Sequence, residues 1–443
     1  MKREHFGSRL TAIMAMAGSA IGLGNIWRFP YLVGQNGGAA FILLYIVSCV
    51  LLALPIFLAE SVIGRRSGSG TFGAMRKLAP GSRLRWLGML TVITPLLLLS
   101  YYSVVGGWSV DYLAKACCLR FTTNVDGLFG GFITSVWEPL IAHTVFMAAT
   151  AFIILKGVNK GIEVFTKITM PMLFLLIVII VVFGLTLPGS GQGVAYLVKP
   201  DFSKITPDII AAAMGQSFFS MSLGVGTILT YSSYVSKKDN LLGSAAGTAV
   251  SDLGFALLAG FAVMPAVFAA GIQPGEGPGL VFDTLPYIFS QMTPWVGAVI
   301  SILFFLAILT AALTSSISLL EVGVAYLVEE KGVERKKATV GLSLGVWALG
   351  IVCSLSFGPL SHVQLAGGTI FDSLDKLCSD WLMPVGGLFF TLFVGWKMSK
   401  ADVRDELTNG GTCNRRLFGV FYFLMRYFAP VGILVVFLTN LLG

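Results

Sequence analysis

Residues 18–30, GSAIGLGNIWRFP, interrupt the first apolar stretch of the chain with glycines and small polar residues near its middle. Residues 216–226, QSFFSMSLGVG, repeat this arrangement in the sixth apolar stretch. Glycine weakens a helix by roughly 1 kcal/mol per site relative to alanine, so both runs predict unwinding in mid-helix. Non-helical backbone inside a bilayer is tolerated only where it is buried in protein or lines a cavity. The two runs therefore indicate a site within a membrane protein, although close helix packing through small residues is the alternative for either run alone.

The composition of the whole chain favours a membrane protein. Of its 443 residues, 56% are hydrophobic and 12% are charged, and the mean hydropathy is +0.84. A soluble domain carries about 25% charged residues, and a disordered chain is far less apolar. Because a spanning helix needs about 20 mostly apolar residues, we predict an all-α polytopic membrane protein with eleven transmembrane helices. The expected spans are residues 8–34, 38–63, 84–118, 139–156, 163–187, 209–235, 242–272, 294–328, 338–357, 371–397 and 416–441.

Basic residues are distributed unevenly between the two sides of these spans. Connections on one side hold 23 of the 30, while those on the other side contain Arg120, Lys199 and Lys204. Loops rich in Lys and Arg stay in the cytoplasm, so we expect a cytoplasmic N-terminus in the cell (inner) membrane and, with an odd number of spans, an external C-terminus. The net charge of +8 then reports topology and not a nucleic-acid partner. Arg28 and Arg426 lie inside spans.

The two interruptions lie five spans apart, in the first and sixth spans. An odd repeat length reverses the topology of the second copy, and interrupted helices at matching positions of two inverted repeats are typical of transporters. We therefore predict a first repeat over residues 1–188, a second over 189–399, and a cytoplasmic linker with the last helix over 400–443. Unwound carbonyls can bind a cation and half-helix N-termini can receive a carboxylate, which favours an amino acid transported with sodium.

Residues 22–31, GLGNIWRFPY, followed by NGGAAF at 36–41, closely resemble the neurotransmitter:sodium symporter family. The resemblance extends through Tyr101 and Tyr102, residues 216–226, GPGLVF at 277–282 and TSS at 314–316, and so covers nearly the whole chain. It implies the leucine-transporter fold and is greatest to bacterial members with eleven helices. It also implies a symporter that uses the sodium gradient to import an amino acid by alternating access, and not an enzyme.

The resemblance implies two sodium sites. The first comprises Ala20, Asn25, Ser220 and a seventh-helix residue, either Ser251 or Asp252, because the alignment is ambiguous by one residue; the second comprises Gly18, Ile21, Ala311, Thr314 and Ser315.

Asp252 lies deep in an apolar span, where a carboxylate is costly and is by default a functional candidate. In chloride-dependent relatives the anion lies near the positions of Tyr45, Gln216 and Ser220. Asp252 either supplies that negative charge or binds sodium directly, and both interpretations predict transport without chloride. An aspartate at a helix end that reaches solvent is the alternative.

A substrate pocket is also implied by the resemblance. Its members are Ser19, Ala20, Leu23, Gly24, Leu98, Tyr102, Phe219, Ser220, Ser222, Val225, Ser315 and Leu319. Tyr102 would donate a hydrogen bond to the substrate carboxylate and Phe219 would close over it. Gly22 stands where monoamine-transporting relatives carry an aspartate, so a carboxylate-bearing substrate is favoured. The mostly aliphatic subsite predicts a neutral, hydrophobic or aromatic L-amino acid, but one methylene changes affinity by only about 1–3 kcal/mol, so its identity is not predicted.

Gates and a release hinge complete the expectations drawn from the family. Their members are Arg28 with Asp372, or as second choice Asp375, on the outer side; Arg3 with Glu329, supported by Ser233 and Tyr234, on the inner side; and Gly161 with Pro171 in the fifth helix as the hinge that releases the second sodium. Proline removes a helix hydrogen bond and glycine relaxes the backbone, so a plain kink is the alternative for the hinge.

The sequence offers few residues or motifs that would support a different function. His143 is the one histidine within a span, and neither an HExxH nor a GxGD pattern occurs, so we do not expect an enzyme. A non-transporting amino-acid sensor of the same fold remains the alternative, because its binding residues would look the same. The expected partners are the amino acid, sodium ions and the lipid bilayer, with no obligate protein partner.

Overall fold

The computed structural model describes residues 4–123, 125–272 and 279–442. Over these ranges the chain is almost entirely helical, and the one β-type pairing is an isolated bridge between Leu365 and Gly368. The predicted all-α class is confirmed.

Eleven helical segments match the predicted spans. They are α1 (Arg9–Ala20 with Gly24–Gln35), α2 (Ala39–Ser67), α3 (Arg85–Cys117), α4 (Trp137–Leu155), α5 (Val158–Thr186), α6 (Pro207–Ser220 with Thr227–Ser232), α7 (Leu241–Ala269), α8 (Pro294–Lys331), α9 (Arg335–Leu355), α10 (Ile370–Lys397) and α11 (Phe418–Thr439). Within the described ranges, nine are continuous, long and apolar enough to cross a membrane, and α1 is a pair of helices bent by 56°. The two pieces of α6 have 14 and 6 residues, so neither is long enough to span alone.

Shorter helices connect these spans at the two surfaces. They are Thr71–Leu78, Arg120–Thr122, Leu128–Thr134, Ser190–Val198, Phe202–Lys204, Leu280–Ser290 and Lys400–Thr408. The repeat boundaries at residues 188 and 399 stay a prediction.

The break in α1 falls where the sequence predicts it. The first half begins with a capping box, in which Ser8 and Thr11 each bond to the other's backbone N–H, and it ends at Ala20. Ile21 then adopts an extended conformation, with φ −72° and ψ 106°. The helix resumes at Leu23 and continues as a π-helical turn at Gly24–Arg28, so residues 21 and 22 are non-helical.

The break in α6 depends on glycine. Gly224 and Gly226 have φ of +81° and +74°, a region that disfavours other residues. A Cβ at Gly224 would lie 2.1 Å from the Met383 carbonyl oxygen, and a Cβ at Gly386 would lie 2.0 Å from the Gly224 oxygen. The backbone of α10 therefore touches the unwound part of α6 directly.

The two breaks lie opposite each other at the centre of the molecule. Helix α1 packs against α7, α8 and the second half of α6, while α3 and α8 pack along each other beside it. The unwound residues therefore face α3, α7, α8 and α10 and have little access to lipid.

Candidate functional site

A cavity of about 30 Å³ lies between the two breaks. Its lining consists of Ala20, Gly22, Leu23, Gly24, Leu98, Tyr102, Phe219, Ser220, Ser222, Val225, Ser315, Leu319 and Met383. Eleven of the twelve residues expected from the sequence are among them. Ser19 is the exception. Its carbonyl oxygen lies beside the cavity wall and accepts from Ser222 Oγ (3.0 Å) and Ser315 Oγ (3.2 Å).

The polar end of this cavity is built around Gly22. Tyr102 Oη accepts a hydrogen bond from the Leu23 backbone N–H at 3.3 Å. A Cβ at Gly22 would lie 2.5 Å from Ser315 Oγ and 2.9 Å from Tyr102 Oη, so a side chain there would displace these hydroxyls. The hydroxyls of Tyr102 and Ser315 therefore reach the unwound backbone of α1, where a small anionic group could be bound.

Phe219 separates the central cavity from an outer one of about 240 Å³, since its ring lines both. The outer cavity is also lined by Arg28, Phe371 and Asp375. The Arg28 guanidinium carbon lies 4.4 Å from the centroid of the Phe219 ring. Arg28 and Phe219 together thus cover the central cavity on this side.

Asp375, the second choice in the sequence analysis, is the carboxylate that shares the outer cavity with Arg28. Asp372, the first choice, is engaged elsewhere: its Oδ2 accepts from the Thr369 backbone N–H (3.0 Å) and from Thr369 Oγ1 (2.8 Å). These bonds form a capping box at the start of α10, a role that the spacing of Thr369 and Asp372 could have indicated.

A buried cluster of oxygen atoms joins α1, α6 and α7. Asn25 Nδ2 donates to Asp252 Oδ1 (2.8 Å) and to Ser220 Oγ (3.1 Å), and Ser220 Oγ donates to Asp252 Oδ2 (2.9 Å). Tyr45 Oη donates to Ser220 Oγ at 3.2 Å. Asn25 and Asp252 are 0% exposed. A buried carboxylate among neutral oxygens is suited to binding a small cation.

Ser251, the other candidate on α7, faces a different direction. Its hydroxyl donates to the Gly247 carbonyl of its own helix at 2.9 Å. Of the two alternatives left open by the sequence, the structure brings Asp252 to Asn25 and Ser220.

A second oxygen cluster joins α1 to α8 and contains no carboxylate. Thr314 Oγ1 donates to the Ala311 carbonyl (2.9 Å) and lies 3.4 Å from the Ile21 carbonyl, which also accepts from Ser315 Oγ (3.3 Å). Gly18 lies directly against Thr314. The five residues expected at the second ion site are therefore adjacent.

The inner side contains a polar network that the sequence analysis recognised only in part. Tyr234 Oη donates to Glu321 Oε1 at 2.9 Å, and Arg335 donates to both Glu321 oxygens, at 3.1 and 2.5 Å. Glu321 is 0% exposed, and both of its carboxylate oxygens accept hydrogen bonds. The pairing of Arg335 with Glu321 was not predicted, because Arg335 is one of four basic residues in its connection and composition does not show which of them points into the protein.

Two of the expected inner-gate residues lie at an inner cavity of about 640 Å³. Glu329 and Tyr234 line it, and Glu329 Oε2 accepts from the Gly70 backbone N–H at 3.0 Å. Ser233 donates to the Thr230 carbonyl oxygen. Arg3 lies outside the described residues, as do residues 277 and 278 of the GPGLVF motif.

Two further residues contribute to the site without having been predicted. Glu60 of α2 is 0% exposed and accepts from the Gly224 backbone N–H (2.7 Å) and that of Leu229 (3.4 Å), so it holds the unwound part of α6. The rule that singled out Asp252, a carboxylate deep in an apolar span, also applies to Glu60. Met383, from α10, closes the cavity wall and carried no signal in the sequence.

The expected release hinge lies at the start of α5. Gly161 belongs to a π-helical turn over Val158–Glu163, and Pro171 lies within the regular helix that follows. Thr166, between them, contacts Gly18 of the second oxygen cluster. An irregular turn is thus close to that cluster.

Comparisons with known proteins identify the family of this chain. The profile of the sodium:neurotransmitter symporter family matches residues 3–125 and 130–443. The chain belongs to the sodium:neurotransmitter symporter family. It is similar to an uncharacterized sodium-dependent transporter of Bacillus subtilis, YhdH, with 41% identity over 446 residues that cover 100% of this chain and 98% of YhdH. It is also similar to the sodium- and chloride-dependent taurine transporter of Bos taurus, with 26% identity over 92% of this chain and 73% of that protein.

A solved structure of the same family has the same fold. The crystal structure of MhsT in complex with L-phenylalanine superposes with a TM-score of 0.91 and 42% identity, covering 99% of this chain and 100% of that one. The resemblance stated from the sequence is confirmed. As a sodium:neurotransmitter symporter, the chain is a sodium-dependent transporter embedded in the membrane.

Proposed function

We propose that the protein imports a neutral L-amino acid with a hydrophobic or aromatic side chain, driven by the sodium gradient. The observation that carries this proposal is the cavity between the breaks, which is polar beside Gly22 and Tyr102 and apolar at Leu98, Val225 and Leu319. Such a division suits an α-amino acid whose carboxylate meets the unwound α1 and whose side chain contacts the apolar wall. The similarity to MhsT, crystallised with L-phenylalanine, supports the same substrate class.

Two sodium ions accompany the substrate in this proposal. One is bound by Ala20, Asn25, Ser220 and Asp252, and the second by residues of α1 and α8, namely Gly18, Ile21, Ala311, Thr314 and Ser315. Because the first ligand set comes from α1, α6 and α7 and the second from α1 and α8, sodium favours the conformation in which those helices are close. The fixed charge of Asp252 makes chloride unnecessary.

Access alternates between the two membrane faces as the gates open in turn. We take α1, α2, α6 and α7 as the moving bundle and α3, α4, α8 and α9 as the scaffold. Arg28 and Phe219, with Asp375, close the outer side. Tyr234, Glu321 and Arg335 close the inner side together with Glu329. Opening at Gly161 and Pro171 would release the second sodium.

The orientation proposed follows from the basic residues. Their concentration in alternate connections favours a cytoplasmic N-terminus and an external C-terminus in the inner membrane.

Uptake into proteoliposomes tests this proposal. Radiolabelled tryptophan, tyrosine, phenylalanine and leucine are offered with an inward sodium gradient, with equal sodium on both sides, and with choline in place of sodium. We expect accumulation above equilibrium only with the gradient, and its collapse on adding a sodium ionophore. Sodium-dependent binding without accumulation would support the sensor alternative, and accumulation that is unchanged in choline would refute symport.

A further inference from the structure

Arg426 is a cation within a membrane span that the transport site does not use. It lies in α11, eight residues beyond Phe418, and therefore about 12 Å along the helix from its start. A charge inside the hydrocarbon region is costly unless it has a partner or reaches the interface. Helical side chains point towards the N-terminal end, so this guanidinium is directed back to the membrane surface that carries the basic connections.

Aromatic side chains hold the guanidinium in place without neutralising it. The Arg426 Cζ atom lies 4.4 Å from the Trp396 ring centroid and 5.4 Å from that of Tyr427, and Nη1 donates to Tyr422 Oη at 3.3 Å. Nε has no acceptor. Within residues 4–123, 125–272 and 279–442, no carboxylate forms an ion pair with Arg426. The charge is thus oriented but lacks a protein counter-ion.

The helix Lys400–Thr408, between α10 and α11, presents its acidic residues to α2. Glu406 Oε2 accepts from Arg65 Nε at 2.7 Å, and Arg66 pairs with Asp402 and, at 2.9 Å, with Asp405. These ion pairs fix which way the helix faces and take up its carboxylates.

Its basic residues face α11 instead. The Lys400 ammonium lies 5.5 Å from the Tyr422 ring centroid, and the Arg404 guanidinium lies 5.8 Å from that of Phe418. Both residues are exposed. Because Tyr422 also contacts Arg426, the three cations surround one aromatic patch where the helix meets α11.

The surface next to these cations is apolar and open to lipid. Trp396 is 58% exposed, Val420 57%, Phe423 57% and Tyr427 45%. Trp and Tyr favour the boundary between acyl chains and headgroups, so the cations lie at headgroup depth.

We propose that this surface binds an anionic phospholipid of the leaflet that faces it. The phosphodiester is bound by Arg426, Lys400 and Arg404, and the acyl chains lie along Trp396 and Phe423. Guanidinium groups suit phosphate geometry, and basic pockets between spanning helices attract anionic headgroups. A zwitterionic lipid carries the same phosphate together with its own cation, so the cluster favours a lipid with net negative charge.

Quenching of Trp396 fluorescence by brominated lipids tests this assignment on the full-length protein in nanodiscs. The chain has eight tryptophans, so the contribution of Trp396 is the difference between the protein and its Trp396→Phe variant. At equal mole fraction, brominated phosphatidylglycerol should quench this contribution at lower concentration than brominated phosphatidylcholine. The preference should fall roughly fivefold for each cation removed, in Lys400→Gln/Arg404→Gln and in Arg426→Gln.

The matched control is Lys331→Gln/Lys336→Gln, which removes two exposed cations from the same membrane side and should leave the preference unchanged. Equal quenching by the two lipids would overturn the proposal. A preference that survives Lys400→Gln/Arg404→Gln would also overturn it, because both residues are exposed and their replacement should leave the fold intact. Displacement of the brominated lipid by inorganic phosphate would also overturn it, because the site would then bind a free anion. The readout requires neither sodium nor substrate, so its result is independent of the transport proposal.

Discussion

The two oxygen clusters beside the break in α1 differ in one respect, which is charge. The cluster at Asn25 contains the buried carboxylate of Asp252, whereas the cluster at Thr314 consists of hydroxyls and carbonyls alone. A cation in the first cluster is neutralised by the protein itself, while a cation in the second is held by dipoles whose geometry must be right. The Asn25 cluster should therefore determine whether transport requires an anion. The sodium affinity of the Thr314 cluster should depend more strongly on the distance between α1 and α8.

Asp252→Asn should have the largest effect. The change removes a charged ligand from a buried site, which costs about 3 kcal/mol, and should lower sodium affinity roughly 100-fold in chloride-free gluconate buffer. Sodium-dependent uptake measured in gluconate and in chloride checks this. Chloride should restore part of the activity of the variant and leave the unmodified protein unaffected; uptake by the unmodified protein that collapses in gluconate would contradict the fixed-charge interpretation.

Asn25→Ala should come next. Its side chain bonds to Asp252 and Ser220 and its Oδ1 accepts from the Gly22 backbone N–H at 3.1 Å, so the change removes an oxygen ligand and loosens the break. A loss of about 2 kcal/mol predicts roughly thirtyfold weaker sodium-dependent binding, measured by titrating sodium against bound labelled substrate. Chloride should not rescue this variant, and rescue would mean that Asn25 acts only through charge.

Thr314→Ala should have a smaller effect, because only a neutral hydroxyl is lost. About 1 kcal/mol corresponds to roughly fivefold weaker sodium affinity, the same in gluconate and in chloride. Thr314→Ser keeps the hydroxyl and serves as the control, with a near-normal sodium titration. If the Asn25 and Thr314 variants both responded normally to sodium, neither cluster would bind an ion.

Ser251→Ala should change nothing measurable in the sodium titration. Its hydroxyl is bonded within its own helix and is not part of the Asp252 cluster. A loss of sodium affinity comparable to that of Asp252→Asn would mean that Ser251, and not Asp252, is the ligand on α7.

Much of this arrangement could be predicted from the sequence. Apolar length determines the spans and the glycine runs determine the breaks, so α1 to α11 follow from features that the linear chain displays, whereas the residues of the central cavity came from the family resemblance. The side of a helix that faces inward is harder to predict, because one residue rotates a helix by about 100° and a buried span is apolar on every side. The family resemblance left Ser251 and Asp252 open because the alignment is ambiguous by one residue, and it placed Asp372 ahead of Asp375; the direction in which each side chain faces became visible only in the structure.

Two contacts between separate segments were not predicted. Arg335 meets Glu321 across the connection between α8 and α9, and Glu60 meets the backbone of α6. Neither pairing leaves a local pattern in the sequence. In the case of Glu60, a carboxylate can accept from main-chain N–H groups wherever a helix is unwound.

The contact between Gly224 and Gly386 has a mechanical consequence. Two backbones meet there without any side chain between them, so no rotamer change can absorb a relative displacement of the two segments. Helix α10 must therefore travel with the unwound part of α6, or the contact must separate completely. Because Asp375 lies on α10, any movement of the unwound part of α6 that keeps this contact also moves Asp375.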